Sequence, residues 1–201
     1  MYFRENFKLL VYGREMNNIL SKPIERSEYA DLPRLLDYML RVMRTANGVG
    51  LAAPQIGCFK QFIILQGNDG TIIDLVNPEI ISIYGREIDA PEGCLSLPPS
   101  GNECIVSRME IVEVEASSSA RPMERKSQTF YRMEARILQH EVDHLTGTFF
   151  VDRVSPRERK KALDRFNQWK YERKAQTRMR EESKDVNTGF VAACGGAANL
   201  S

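Results

Sequence analysis

The sequence predicts an α+β fold, with antiparallel β-sheets packed around a central helix that carries a His-Glu-x-x-His motif, and a further helix on the carboxyl-terminal side. Three observations predict it. Apolar residues recur at helical spacing over residues 32–43 and again over 130–146, β-branched runs broken by Gly, Asp, Asn and Pro fill the stretch between, and a basic segment with a helix-capping pattern begins at Ser155.

Taken in chain order, the first helix starts at Asp31, a candidate N-cap, with Leu32, Leu35, Leu36, Met39, Leu40, Val42 and Met43 at helical spacing and Asn47-Gly48 as a stop. After a glycine-rich turn, KQFIILQ, the segment around TIIDLVN, EIISIY and the run from Cys104 to Ala116 read as antiparallel strands. The second helix is expected from Phe130 to Thr146, closed by Gly147. Steps of three and four residues separate its faces. Ala135, Leu138, Val142 and Leu145 form a core stripe, and Arg132, Arg136, Gln139 and Asp143 a polar one. Met133, Ile137, His140 and His144 form the third, which joins apolar residues to two histidines. Ser155-Pro156-Arg157-Glu158 has a capping-box pattern with Pro at the first helical position, so a third helix begins there and passes Trp169.

A chain of 201 residues can bury one sizeable core, which predicts a single domain over 1–176 and a flexible tail over 177–201 that ends in the small-residue run GFVAACGGAANLS. A net charge of +1 gives no global case for nucleic acid or an anionic membrane. The third helix is the local exception, because residues 153–184 carry 12 Lys/Arg against 5 Asp/Glu. No run approaches the roughly eighteen uncharged apolar residues of a membrane span, and charge interrupts the amino terminus too early for a secretory signal, so the expected location is the cytoplasm. Cys58, Cys94, Cys104 and Cys194 show no disulfide-framework spacing, which favours free thiols in a reducing compartment.

His140-Glu141-Val142-Asp143-His144 places two imidazoles one turn apart, where both can reach one ion, with Glu141 beside them as general acid/base. They are the only two histidines in the chain. A catalytic divalent site needs a third ligand and an open position, and Cys94 in Glu92-Gly93-Cys94-Leu95-Ser96-Leu97-Pro98 is the candidate; the competing reading is an inert core thiol. Gly48-Val49-Gly50-Leu51-Ala52-Ala53-Pro54-Gln55 suits a tight loop with backbone amides free for a ligand and a Gln55 donor, or equally a packed turn between helix and strand.

GVGLAAPQ, EGCLS and QHEVDHL, in this order and with these separations, resemble the three signature motifs of peptide deformylases, and the resemblance extends from about Arg34 to Val154. It implies a metal-dependent hydrolase that removes the N-formyl group from the formylmethionine of nascent polypeptides and releases formate. It also implies Cys94, His140 and His144 as ligands of one divalent ion, Fe2+ being the native expectation with Zn2+, Ni2+ or Co2+ able to substitute. By the same resemblance Glu141 is the catalytic acid/base, Gln55 and the Leu95 N–H form the oxyanion hole, and the backbone of Val49 and Gly50 pairs with the substrate's main chain. Met133 and Ile137, on the ligand face of the helix, with Leu97 opposite, would wall a slot for the methionine side chain; plain core is the other reading. Glu92 needs a cationic partner if buried, for which the resemblance nominates Arg108, and it implies a structural or supporting role for Asp143 rather than ligation.

The segment PPSGNECIVSR is longer than the family's usual one, and KLLVYGREMNNILSKPIE matches the usual opening only loosely. The basic third helix has two readings, a solvated face or a docking element for the ribosome. Two other functions fit parts of the pattern. One is a zincin-like endopeptidase with a downstream ligand such as Glu158, and the other a non-enzymatic ribosome-binding protein.

Overall fold

The computed structural model describes residues 9–13, 16, 19–99 and 101–194, with side chains described up to residue 177. Helix α1 (Leu32–Thr45) follows a 3-10 turn at Arg26–Asp31. Asp31 is the N-cap residue of α1, as expected, but makes no side-chain cap bond; a capping box between Glu25 and Glu28 closes the 3-10 turn before it. At the other end Asn47 takes φ 53°, the left-handed conformation that the Asn-Gly stop requires.

One five-stranded antiparallel sheet follows, in the order β1 (Gly50–Ala52), β2 (Phe62–Gln66), β3 (Ile72–Glu92), β4 (Cys104–Ser118) and β5 (Arg121–Tyr131). The continuous apolar run of β2 is explained by burial on both sides. Phe62 and Ile64 pack with Leu35, Met39 and Met43 of α1, while Ile63 and Leu65 pack with Ala135 and Leu138 of helix α2 (Arg132–Leu145). The two runs expected as separate strands, TIIDLVN and EIISIY, are parts of the single long β3. Its register against β4 shifts after Val76 and after Tyr84, beside Asn77 (φ 50°) and Gly85 (φ 88°). Residues that read as strand ends are therefore bulges that bend a continuing strand.

Strand β5 was not expected, because its residues are exposed almost throughout and lack apolar alternation. It also corrects the start of the second helix. Phe130 and Tyr131 pair with Val112 and Ile111 of β4, and α2 begins only at Arg132, which turns the chain with φ 50°. A third cluster of Leu97, Val106, Phe149, Phe150, Val151 and Phe166 seats helix α3 (Pro156–Cys194) against β4 and the loop after β3. Ser155 and Glu158 exchange the expected capping-box bonds. The helix continues past residue 177, where the tail was expected to begin, and on to Cys194; residues 195–201 lie outside the described residues. No helix among the described residues is long and apolar enough to cross a membrane.

Candidate metal centre

Helix α2 presents His140 and His144 on one face, and the turn after β3 brings Cys94 to meet them. One donor atom from each lies within 4.8 Å of the others, and Cys94 Sγ is 3.2 Å from His144 Nε2. A thiolate and two imidazoles so gathered fit a tetrahedral divalent ion with one position open. Both histidines are buried, and burial pushes the His144 imidazole well below its ordinary pKa, toward the neutral form that ligates. Glu158 is occupied by the α3 cap and is not part of this cluster, which removes the downstream ligand that the endopeptidase reading needed.

Beneath the donors lies a buried ionic network. His140 Nδ1 meets Glu92 Oε2 at 3.1 Å, which orients the ring so that Nε2 faces the cluster. Arg108 binds both Glu92 oxygens at 2.9 Å and Asp143 at 2.6 Å, as the candidate pairing required. Arg136, which the helical periodicity placed on a polar stripe, is also buried, with its guanidinium 2.7 Å from Glu92 and 2.9 Å from the Val106 carbonyl. Asp143 is held from outside by Arg153. Burial alone would raise the Glu92 pKa, but hydrogen bonds from His140 and Arg108 outweigh it and hold the carboxyl at about 2. Against an ordinary value of 4.5, that carboxylate stabilises the fold fully above pH 4.5, and the contribution is lost as pH falls toward 2, on the order of 3 kcal/mol in all. Glu92→Gln should therefore lower the urea-unfolding free energy of the metal-stripped protein most above pH 4.5, with the gap to the parent closing in acid. A gap independent of pH would refute the ionised network.

Glu141 sits beside the donors, 4 % exposed, with Oε2 lacking a hydrogen-bond partner. Burial is the chief cause that raises its pKa to about 7. Gln55, 1 % exposed, has its Oε1 fixed by the Ala52 N–H at 2.8 Å, which aims Nε2 at Ser96 Oγ (3.1 Å) and Cys94 Sγ (3.6 Å). Leu10 and Tyr12 donate their N–H groups to the carbonyls of Gln55 and Ser96, so the amino-terminal segment braces both loops.

Cys94 and His140 line one cleft of about 1320 Å³, together with Val49, Gly50, Gln55, Leu95, Leu97, Met133, Ile137 and Glu141. Leu97 and Ile137 are buried in its wall, while Met133 is 56 % exposed at the rim. Strand β1 is an edge of the sheet. The Val49 carbonyl accepts the Gln66 N–H, and the Ala52 N–H turns away from β2 to Gln55, so by strand alternation the N–H and C=O of Gly50 face the open edge. Gly50 also permits close packing. A Cβ there would stand 2.7 Å from Ile137 Cγ2 and 3.0 Å from Glu141 Cδ. Gly50→Ala is expected to displace the Glu141 carboxylate and lower kcat on the order of 10²-fold while leaving metal content intact, because the atoms nearest that Cβ belong to Glu141 and Ile137 and not to the three donors. Equal kcat for variant and parent would show that the site has slack.

The polypeptide deformylase family pattern matches residues 7–160. This chain belongs to the polypeptide deformylase family. It is 32% identical over 188 residues to a peptide deformylase of Chlorobium luteolum, a match covering 90% of this chain and 87% of the relative. A solved peptide deformylase from Legionella pneumophila superposes with a TM-score of 0.74 at 36% identity, covering 83% of this chain and 96% of that one. One from Acinetobacter baumannii with Met-Ala-Ser bound gives a TM-score of 0.67 at 32% identity, covering 74% and 98%. The deformylase is thus a metalloenzyme that hydrolyses the N-formyl group of nascent peptides, with the α+β architecture the sequence implied. The signals missed in sequence were Arg136, Leu9 and Val11, and the stretch from Trp169 to Thr177 of α3, which lines the same cleft. None of these lies in a recognisable motif.

Proposed function

We propose that Cys94, His140 and His144 hold a single Fe2+ ion, and that Glu141, Gln55 and the Leu95 N–H perform the deformylation around it, in the cytoplasm. The observation that carries this reading is the convergence of three soft and borderline donors within 4.8 Å, beside a buried carboxylate with an unpartnered oxygen. Such an ion supplies Lewis-acid activation of water and of the formyl oxygen. Glu141, with a pKa of about 7, can accept the proton of the attacking water at Oε2 and return it to the departing amine. Gln55 Nε2 and the Leu95 N–H would donate to the oxygen that gains charge. The open edge at Gly50 receives the peptide main chain as an added strand, and Met133, Ile137 and Leu97 take the methionine side chain. Water adds its oxygen to the formyl carbon, the C–N bond breaks, and formate and a free amino terminus leave.

Residues 1–176 form the catalytic domain in this reading. The ribosome is a second partner for the outer side of α3, where Arg157 and Lys161 are exposed and, at 100° per residue, fall opposite the cleft-lining positions. The experiment is formate release from formyl-Met-Ala-Ser by protein purified without oxygen and loaded with iron, with metal content measured on the same sample. Turnover confirms the reading. A filled site without turnover overturns it in favour of the binding-protein alternative.

A further inference from the structure

The cleft does not end at the methionine slot. Its volume of about 1320 Å³ exceeds the roughly 300–1,000 Å³ of a site for one small ligand, and its outer wall is α3, through Trp169, Lys170, Arg173, Lys174 and Thr177. These residues recur at steps of three and four, one face of the helix turned to the cleft. Lys170 stands over the Phe166 ring at 5.3 Å and Arg173 over Trp169 at 5.2 Å, while Phe166 is buried in the third core cluster, so the cations are held on an anchored platform. Among the described residues no carboxylate pairs with Lys170, Arg173 or Lys174. The acidic groups of the cleft are otherwise engaged or distant in role: Glu92 and Glu141 are buried at the floor, and Glu103 on the rim accepts from the Gly101 N–H.

We propose that Lys170, Arg173 and Lys174 form a subsite for carboxylate side chains of the substrate, a few residues downstream of the formylmethionine. The inference rests on the deformylase reading and adds a charge preference to it. From Trp169 to Thr177 the helix rises roughly 12 Å at 1.5 Å per residue, the length of three to four residues of extended peptide. A chain leaving the β1 edge within this cleft meets an unpaired positive wall, and complementary charge there raises kcat/KM through encounter and binding.

The test uses three C-terminally amidated peptides, formyl-Met-Ala-Ser followed by two Asp, two Ser or two Lys. At about 20 mM salt, kcat/KM is expected to fall in the order Asp, Ser, Lys, with Asp over Lys about 10-fold, and to converge at about 500 mM. In K170A/R173A/K174A the Asp-over-Lys ratio should approach one, and in K170E/R173E/K174E it should invert, an outcome that general damage to α3 cannot produce. Equal rates on all three peptides with the parent enzyme overturn the subsite and leave deformylation standing. A ratio that persists in both variants, or indifference to peptide charge combined with lost ribosome co-sedimentation in the Glu variant, also overturns it. Turnover of no formyl peptide overturns the deformylase reading and the subsite together.

Discussion

Glu141→Ala should lower the rate of formate release by about 10²–10⁴-fold while the protein keeps its metal. The residue lies between the two histidines in sequence, yet its carboxylate is not one of the three converging donors. Its Oε2 is buried and unpartnered, and burial brings its pKa to about 7, where it can take a proton and release one within a single turnover near neutrality. Removing the carboxylate removes the proton relay without opening the donor set. Metal content by mass spectrometry and kcat on one sample test this directly, and Glu141→Gln, which preserves size but cannot accept the proton, should fall as far as alanine. A variant within about 10-fold of the parent would transfer the proton relay to another group.

How much of this was legible in sequence follows from which forces act locally. The spacing of His140 and His144 is set by helical geometry alone, so their common face could be read without a partner. Cys94 is a different case. Nothing in its neighbourhood separates a ligand from a core thiol, and only the three motifs taken together placed it. Gln55 was nameable from its motif, but the reason its amide is oriented, the Ala52 N–H fixing Oε1, is a tertiary fact. Strand β5 was invisible because its exposed, charged residues carry no apolar period; its pairing with β4 supplies the stability that its side chains do not advertise. Arg136 misled for the opposite reason. Helical phase placed it on a polar stripe with no partner named, whereas β3 and β4 cover it and Glu92 neutralises it. The cleft wall of α3 was hidden because it depends on Phe166 docking into a core built from Phe149, Phe150 and Leu97.

Cys94→Ala is expected to weaken metal binding by at least about 10²-fold, more than the 10- to 100-fold typical of losing a supporting residue behind a ligand. The thiolate is the only anionic donor of the three, and it comes from a different part of the chain than the two helical imidazoles. Without it two neutral nitrogens remain, too few to hold a four-coordinate ion against water. The rest of the site should survive. His140 keeps its bond to Glu92 and Glu92 keeps Arg108 and Arg136, while the core around Leu97 loses only the contact of the partly buried Cys94 sulfur, so the apoprotein should fold with a small loss of stability against the parent apoprotein. Binding raises stability in proportion to the logarithm of metal concentration over Kd. The parent should therefore gain thermal stability on adding metal, and the variant should gain little at the same concentration. A variant with an undiminished metal-dependent shift would mean that another side chain supplies the third bond, and would return Cys94 to the role of a core thiol.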